Sequence, residues 1–301
     1  MKLHEVEEVR ACLPKGRTLF LYGKDWYAVE LLKLALRGET SVADLKQSPL
    51  GRLFDKQKVR HWFGTLGKNK VTRSDLDLLW PDEWESYRLR LDRFDGWTQT
   101  SRRGNQAWNL VLQLNLNETD ARLMDTQLPE RNDDPFEWTC HPIHEGRHRT
   151  LAWARIDLDW NTGEALIEEI QNDRLREVKW LLDEVRSRKQ ATVTRWGVEL
   201  KASFLEEYWE DRLRLSRTVW AEAMLCATIR FIVDELGLRR IFYHTPESGQ
   251  AYKDYGYSAP PRSIYTDIPR RFCFKSIDEA PQFLCRRFKK RPRVGFQLLE
   301  L

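Results

Sequence analysis

The chain has 301 residues, 41% of them hydrophobic and 32% charged, with a formal net charge of +4, a composition that fits a globular protein of one large or two modest domains. No run approaches eighteen consecutive apolar residues, and the start MKLHEVEEVR lacks the apolar core of a signal peptide, so the expectation is a soluble, cytoplasmic protein with no membrane contact. Five scattered cysteines without C-x-x-C spacing argue against a disulfide framework.

The N-terminal third reads as helical. Phe20, Trp26, Val29, Leu32 and Leu36 fall in a helical rhythm from Thr18 to Leu36, and Ser41 before VADLK supplies an N-cap and an apolar face. Val59, Trp62, Phe63 and Leu66 continue the pattern, Gly67 stops it, and Thr72 or Ser74 can cap the next helix, which ends before Pro81. Lys68, Lys70 and Arg73 beside the glycine turn suit a helix-turn-helix DNA reader, but a helical packing domain with a solvated basic loop is the simpler account. The thirteen tryptophans form no fixed period, so solenoid and propeller readings drop out, and they read mainly as core.

Two polar stretches, DRFDGWTQTSRRGN and LPERNDDPFE, read as a linker or exposed loop and as a loop inside a sheet domain. The second leads into Cys140, His141, His144 and His148. Thiolate and imidazole together suit zinc, and His144 with His148 has i, i+4 spacing, but Pro142 and Gly146 break any helix there. We therefore expect no metal, with His141 or His144 available as a general base.

From Leu151 to Asp173 two runs rich in Ile, Leu and Trp flank Asn161-Thr162-Gly163, the signature of a β-hairpin. Strict alternation along the second run puts Leu166, Glu168, Ile170 and Asn172 on one face and Glu169, Gln171 and Asp173 on the other. From Trp220 the spacing of Ala223, Met224, Ala227, Phe231 and Ile232 predicts a buried helix that stops at Gly237, followed by a short strand Ile241–His244, a Thr-Pro-Glu-Ser-Gly turn and a short helix with Tyr252 and Lys253. A helix between two strands implies a parallel pair, with ligands beyond the carboxyl ends where Asp173 and His244 sit.

The order of elements from about Asn109 to Phe274 resembles the GNAT superfamily of N-acyltransferases. The segment Ile167-Glu168-Glu169-Ile170-Gln171-Asn172-Asp173, the Trp220 helix and His244-Thr245-Pro246-Glu247-Ser248-Gly249 also resemble a segment of large multi-domain phage proteins, about a third of this chain, whose first motif typically reads Glu-Ile-Gln-Ser-Asp and which carries no known activity. The first resemblance implies acetyl-CoA as a cofactor and an acyltransferase cleft. In that cleft Glu169 or His244 would be the base, Tyr252 an acid or positioning group, and Lys253 a holder of an anionic substrate, with Gln171, Asp173, Thr245 and Glu247 lining it. The small-molecule or protein substrate is not named by the residues. The family's Gly-x-Gly/Ala pyrophosphate turn has no counterpart here, where Arg174-Leu175-Arg176-Glu177 stands and Gly197 is the only glycine between Asp173 and Trp220.

The C-terminus is basic. Between Asp267 and Leu301 there are nine Lys or Arg against four Asp or Glu. Arg286, Arg287, Lys289, Lys290, Arg291 and Arg293 could hold a nucleic-acid backbone, which gives the alternative of a non-catalytic nucleic-acid-binding accessory protein. The whole is expected to be an α/β protein: a helical domain over 1–95, a GNAT-like mixed sheet with helices over 96–275 and a basic extension over 276–301.

Overall fold

The computed structural model describes residues 1–12, 18–95, 100–102, 108–128, 134–143, 146–253, 261–285 and 294–301. The fold is mixed α/β. It opens with α1 (Leu3–Cys12), β1 (Thr18–Tyr22), α2 (Tyr27–Ala35), β2 (Thr40–Ser41), α3 (Val42–Gln47), α4 (Gln57–Leu66), β3 (Lys70–Val71), α5 (Arg73–Asp77) and β4 (Glu85–Phe94). The middle holds β5 (Asn109–Asn115), α6 (Glu118–Gln127), β6 (Thr150–Asp159), β7 (Glu164–Gln171), α7 (Arg174–Arg188), the hairpin β8 (Thr192–Arg195) and β9 (Val198–Lys201), α8 (Ala202–Glu207) and α9 (Ser216–Arg230). It closes with β10 (Arg240–His244), α10 (Pro246–Tyr252), α11 (Arg262–Arg271), β11 (Lys275–Ile277), α12 (Gln282–Cys285) and β12 (Phe296–Glu300).

Eight strands make one sheet in the order β1-β4-β5-β6-β7-β10-β12-β11. Every pairing in it is antiparallel except β7 with β10, the pair that the intervening helices require. One face carries Leu110, Leu112 and Leu114, then Ala154 and Ile156, then Ile167 and Ile170, into a core closed by Leu181 and Leu182 of α7 and by Ala223, Met224 and Ala227 of α9. Each Leu- or Ile-sized side chain fully removed from water there stabilises the fold by roughly 1.5–3 kcal/mol. On the opposite face Leu166, Phe242, Tyr252, Phe283 and Phe296 form a smaller apolar cluster.

Local signals act where the sequence places them. Ser41 accepts from the N–H of Ala43 at the start of α3, Thr72 and Asp75 form a capping box on α5, and Gly67 (φ 59°) ends α4. Gly163 (φ 70°) makes the β6–β7 turn and Gly237 (φ 70°) follows α9 and its last wide turn.

The helical expectation from Thr18 to Leu36 is corrected. Residues 18–22 form a strand, and the helix begins at Tyr27. Phe20 and Tyr22 are buried and stacked while Leu19 is exposed, the period of two that a strand imposes. Residues 85–94 also join the sheet, and Tyr27 stacks on Phe272 at 4.4 Å, so the N-terminal third shares its core with the rest of the chain. Likewise β12, within the stretch expected to be an extension, lies inside the sheet between β10 and β11. Cations of the basic glycine turn are neutralised: Lys68 pairs with Asp75, Lys70 with Glu39 and Arg73 with Asp234. Among the described residues no helix is long and apolar enough to cross a membrane.

Candidate functional site

The register of β6 against β7 slips between Arg155 and Ile156: Arg155 faces Glu169, while Ile156 faces Ile167. Glu168 is therefore the extra residue of a β-bulge, and alternation breaks there. Ile167 and Ile170 both enter the main core, which leaves Glu168 and Glu169 together on the other face. This corrects the expected division, in which Glu168 sat with Ile170 and opposite Glu169.

Parallel pairing of β7 with β10 reaches Ile167 and Tyr243. Beyond that point the carbonyl of Glu168 accepts from the ammonium of Lys253, which arrives from the end of α10. The same ammonium lies 3.3 Å from a Glu168 carboxylate oxygen and 3.4 Å from one of Glu169. Arg155 meets Glu169 at 2.8 Å and reaches the side-chain oxygen of Asn109 at 3.3 Å. All of these charged side chains are buried. Burial alone would raise both carboxyls, but Lys253 and His244 beside Glu168, and Arg155 and Lys253 beside Glu169, outweigh it and hold both below the ordinary range.

His244 is enclosed. Its Nε2 lies 2.8 Å from Ser101 Oγ and 3.3 Å from Glu168, and its Nδ1 lies 2.9 Å from Ser248 Oγ. Burial lowers its pKa, so the ring is neutral. Ser101 donates its hydroxyl to Glu168 at 2.9 Å and its backbone N–H to the other carboxylate oxygen at 2.9 Å. That arrangement places the imidazole proton on Nε2, donated toward Ser101 and Glu168, and leaves Nδ1 accepting from Ser248.

Of the expected cleft residues, the structure gathers Glu169, His244 and Lys253, with the buried Tyr252 ring packed on Phe296 at 5.5 Å and near His244. Thr245 is occupied as the N-cap of α10 in a capping box with Ser248, and Glu247 is exposed toward Arg262. Gln171 and Asp173 lie further along, at the carboxyl end of β7.

There Asp173 meets a residue from the histidine cluster. His141 Nδ1 lies 2.6 Å from Asp173 Oδ2, and the other Asp173 oxygen accepts from Arg176 at 2.8 Å. His141 keeps 21% of its side chain exposed and stands on the Trp153 ring at 5.6 Å, whereas Asp173 is buried. In the neutral ring an acceptor on Nδ1 places the proton there, which leaves Nε2 as the nitrogen that carries the lone pair. His148 points elsewhere, to the Leu116 carbonyl at 3.1 Å and to Glu118 at 3.6 Å. Cys140 is a free, exposed thiol. His144 and the basic residues Arg286 to Arg293 lie outside the described residues. Among the described residues no group of three or more His, Cys, Asp or Glu is placed to hold a metal.

Sequence reasoning missed Ser101, Arg155 and Glu168. Ser101 sits in a polar stretch read as a loop, and nothing in that stretch marks it as the partner of a strand 67 residues away. No family model, no curated protein and no solved structure matches this chain.

Proposed function

We propose that the protein is a transferase of the N-acyl type in which His141, oriented by Asp173, is the general base. One observation carries the reading: a partly open histidine whose Nδ1 is held at 2.6 Å by a buried carboxylate, at the carboxyl end of the strand that pairs in parallel with β10. His141 Nε2 takes the proton from an attacking amine as the new N–C bond forms and the bond from the acyl carbon to its leaving group breaks. The proton then returns to the leaving group. In this proposal Glu168, Glu169, His244 and Lys253 hold the end of the β7–β10 pair in shape and do not touch substrate, because their polar groups are taken up by one another and by Arg155, Ser101 and Ser248. The resemblance to the N-acyltransferase superfamily supports the reading.

The residues at the start of α7 do not fit a coenzyme A pyrophosphate. The Leu175 N–H is taken by Asn172 at 2.8 Å, and Arg174 is buried against Asp134 and Glu137 at 2.7 Å and 2.9 Å. No glycine opens the backbone there. The test is product detection by mass spectrometry, with acetyl-CoA and acetyl phosphate as separate donors and a panel of amines and peptides as acceptors. Transfer that His141→Ala slows by about 10²–10⁴-fold is the expected result. No acylated product with either donor, or equal rates in the variant, overturns the proposal.

A further inference from the structure

Next to His141 the sheet presents buried polar atoms that no group among the described residues satisfies. Gln113 of β5 stands directly opposite Trp153 of β6, and Trp153 opposite Gln171 of β7, so the three share the face that carries Glu169. The register of β5 against β6 slips between Leu114 and Asn115, but Leu114 and Leu116 on either side of Asn115 both enter the main core, which leaves Asn115 on the face of Gln113. Gln113 gives its amide nitrogen to the Pro142 carbonyl at 3.1 Å, which fixes its Oε1 as the atom left over. That Oε1, the Trp153 Nε1–H and both polar atoms of the Asn115 amide are buried without a hydrogen-bond partner among the described residues. Gln113 and Asn115 have no exposure and Trp153 has 2%. Buried polar groups are almost always paired, and these four unmet atoms on one sheet face make a matched set of two donor and two acceptor groups.

We infer that this row is a binding subsite for an amide group, borne by a small carboxamide or by a peptide. An amide is planar, and it offers a carbonyl oxygen to Trp153 Nε1 and Asn115 Nδ2 and N–H groups to Gln113 Oε1 and Asn115 Oδ1. A simple anion would leave the two acceptor oxygens unmet, and a simple ammonium would leave the two donors unmet. The segment that holds His141 also closes one side, through Pro142, so the amide lies beside the base. This names the acceptor class for the transferase proposed above and rests on that reading for the reaction, though not for binding.

The experiment is calorimetric titration of the full chain, with no acyl donor present, using N-acetylglycinamide, its N,N-dimethylated counterpart and the peptide Gly-Gly-Gly-amide. Asn115→Leu replaces two unmet polar atoms by apolar ones of similar size, so it is expected to fold at least as stably as the parent chain, whereas Gln113→Met also gives up the bond to the Pro142 carbonyl and is expected to fold with some loss of stability. The expected result is binding of an N–H-bearing amide, weakened about tenfold or more in either variant and by dimethylation. Saturation by the diamide alone assigns a small-molecule source, and tighter binding of the triglycine amide assigns a peptide. No heat with any probe, or equal binding by parent and both variants, overturns the inference and leaves water as the occupant. Amide binding without any acyl transfer would sink the transferase reading alone, whereas transfer indifferent to Gln113→Met and Asn115→Leu would sink the subsite alone.

Discussion

Lys253 and Glu168 are held together twice: the ammonium donates to the Glu168 carbonyl and stands 3.3 Å from its carboxylate, with no exposure of either side chain. The contact stands where the β7–β10 ladder stops, and the bulge brings Glu169 to the same ammonium at 3.4 Å. Removing one member of a buried charge set leaves the others unpaired. Lys253→Met is therefore expected to lower stability by about 3–5 kcal/mol. Adding Glu168→Gln should return part of that loss, because the two changes share one interaction. Urea denaturation of both single variants and the double variant measures it, and a Lys253→Met midpoint equal to that of the parent would sink the account.

The same carboxylates set a pH dependence. Glu168 and Glu169 titrate below their ordinary value of 4.5 in the folded chain. Their stabilisation is complete above that value and is lost as the pH falls through the lower folded values. His244, lowered from 6.5 by burial, adds to the loss as the pH falls below that value, since the unfolded chain takes up a proton that the buried ring does not. Denaturation midpoints measured downward from pH 6 should fall, and Glu168→Gln should flatten that fall.

Glu137 has the opposite sign. Burial, then the neighbouring Asp134, push its carboxyl from 4.5 up to about 7, against the pull of Arg174. Between these values the unfolded chain ionises while the folded chain keeps the proton, so this group's contribution falls as pH rises and is level above pH 7. Relative to the parent, Glu137→Gln should gain stability as the pH rises from 4.5 to 8. Equal pH slopes for parent and variant would refute the assignment.

Features decided by a few neighbouring residues were legible in the sequence. Ser41, Thr72, Gly67, Gly163 and Gly237 each act within one turn, and the parallel β7–β10 pair follows from a helix lying between two strands. Strand β1 was not legible, because Phe20 and Tyr22 alternate over only five residues beside a true helix and too few positions separate the two periods. The bulge at Glu168 is a property of pairing and leaves no mark on β7 alone. His141 with Asp173, and Ser101 with Glu168, join residues 32 and 67 positions apart, and their residue types are common at unpaired surface positions. The sequence singled out Asp173 and His141 separately, and only the fold put them in contact.

Two glycines test the packing of the N-terminal third. A Cβ on Gly23 would meet the Glu83 carbonyl oxygen at 2.2 Å and Pro81 Cβ at 2.6 Å, both part of the approach to β4. Gly23→Ala should therefore cost about 1–3 kcal/mol by forcing β1 and β4 apart. Gly64, inside α4 and exposed, has nothing within 4 Å of the added atom. Gly64→Ala should stabilise by roughly 0.5–1 kcal/mol through helix propensity. Thermal melts read both, and the same sign for the two would contradict the close approach at Gly23.

The pairing of His141 with Asp173 makes the sharpest functional prediction. If Asp173 orients the ring and holds the proton on Nδ1, Asp173→Asn keeps the size of the side chain but removes its charge and its preference for that tautomer. The rate of the proposed transfer should then fall by about 10²–10⁴-fold, close to the effect of His141→Ala, and the double variant should lose little more than either single one. Nitrogen NMR of labelled imidazole reads the tautomer directly: the parent should carry the proton on Nδ1, and Asp173→Asn should shift part of the population to Nε2. A variant that transfers at the parent rate with its tautomer unchanged would reduce Asp173 to the partner of Arg176, 2.8 Å away, and to the start of α7.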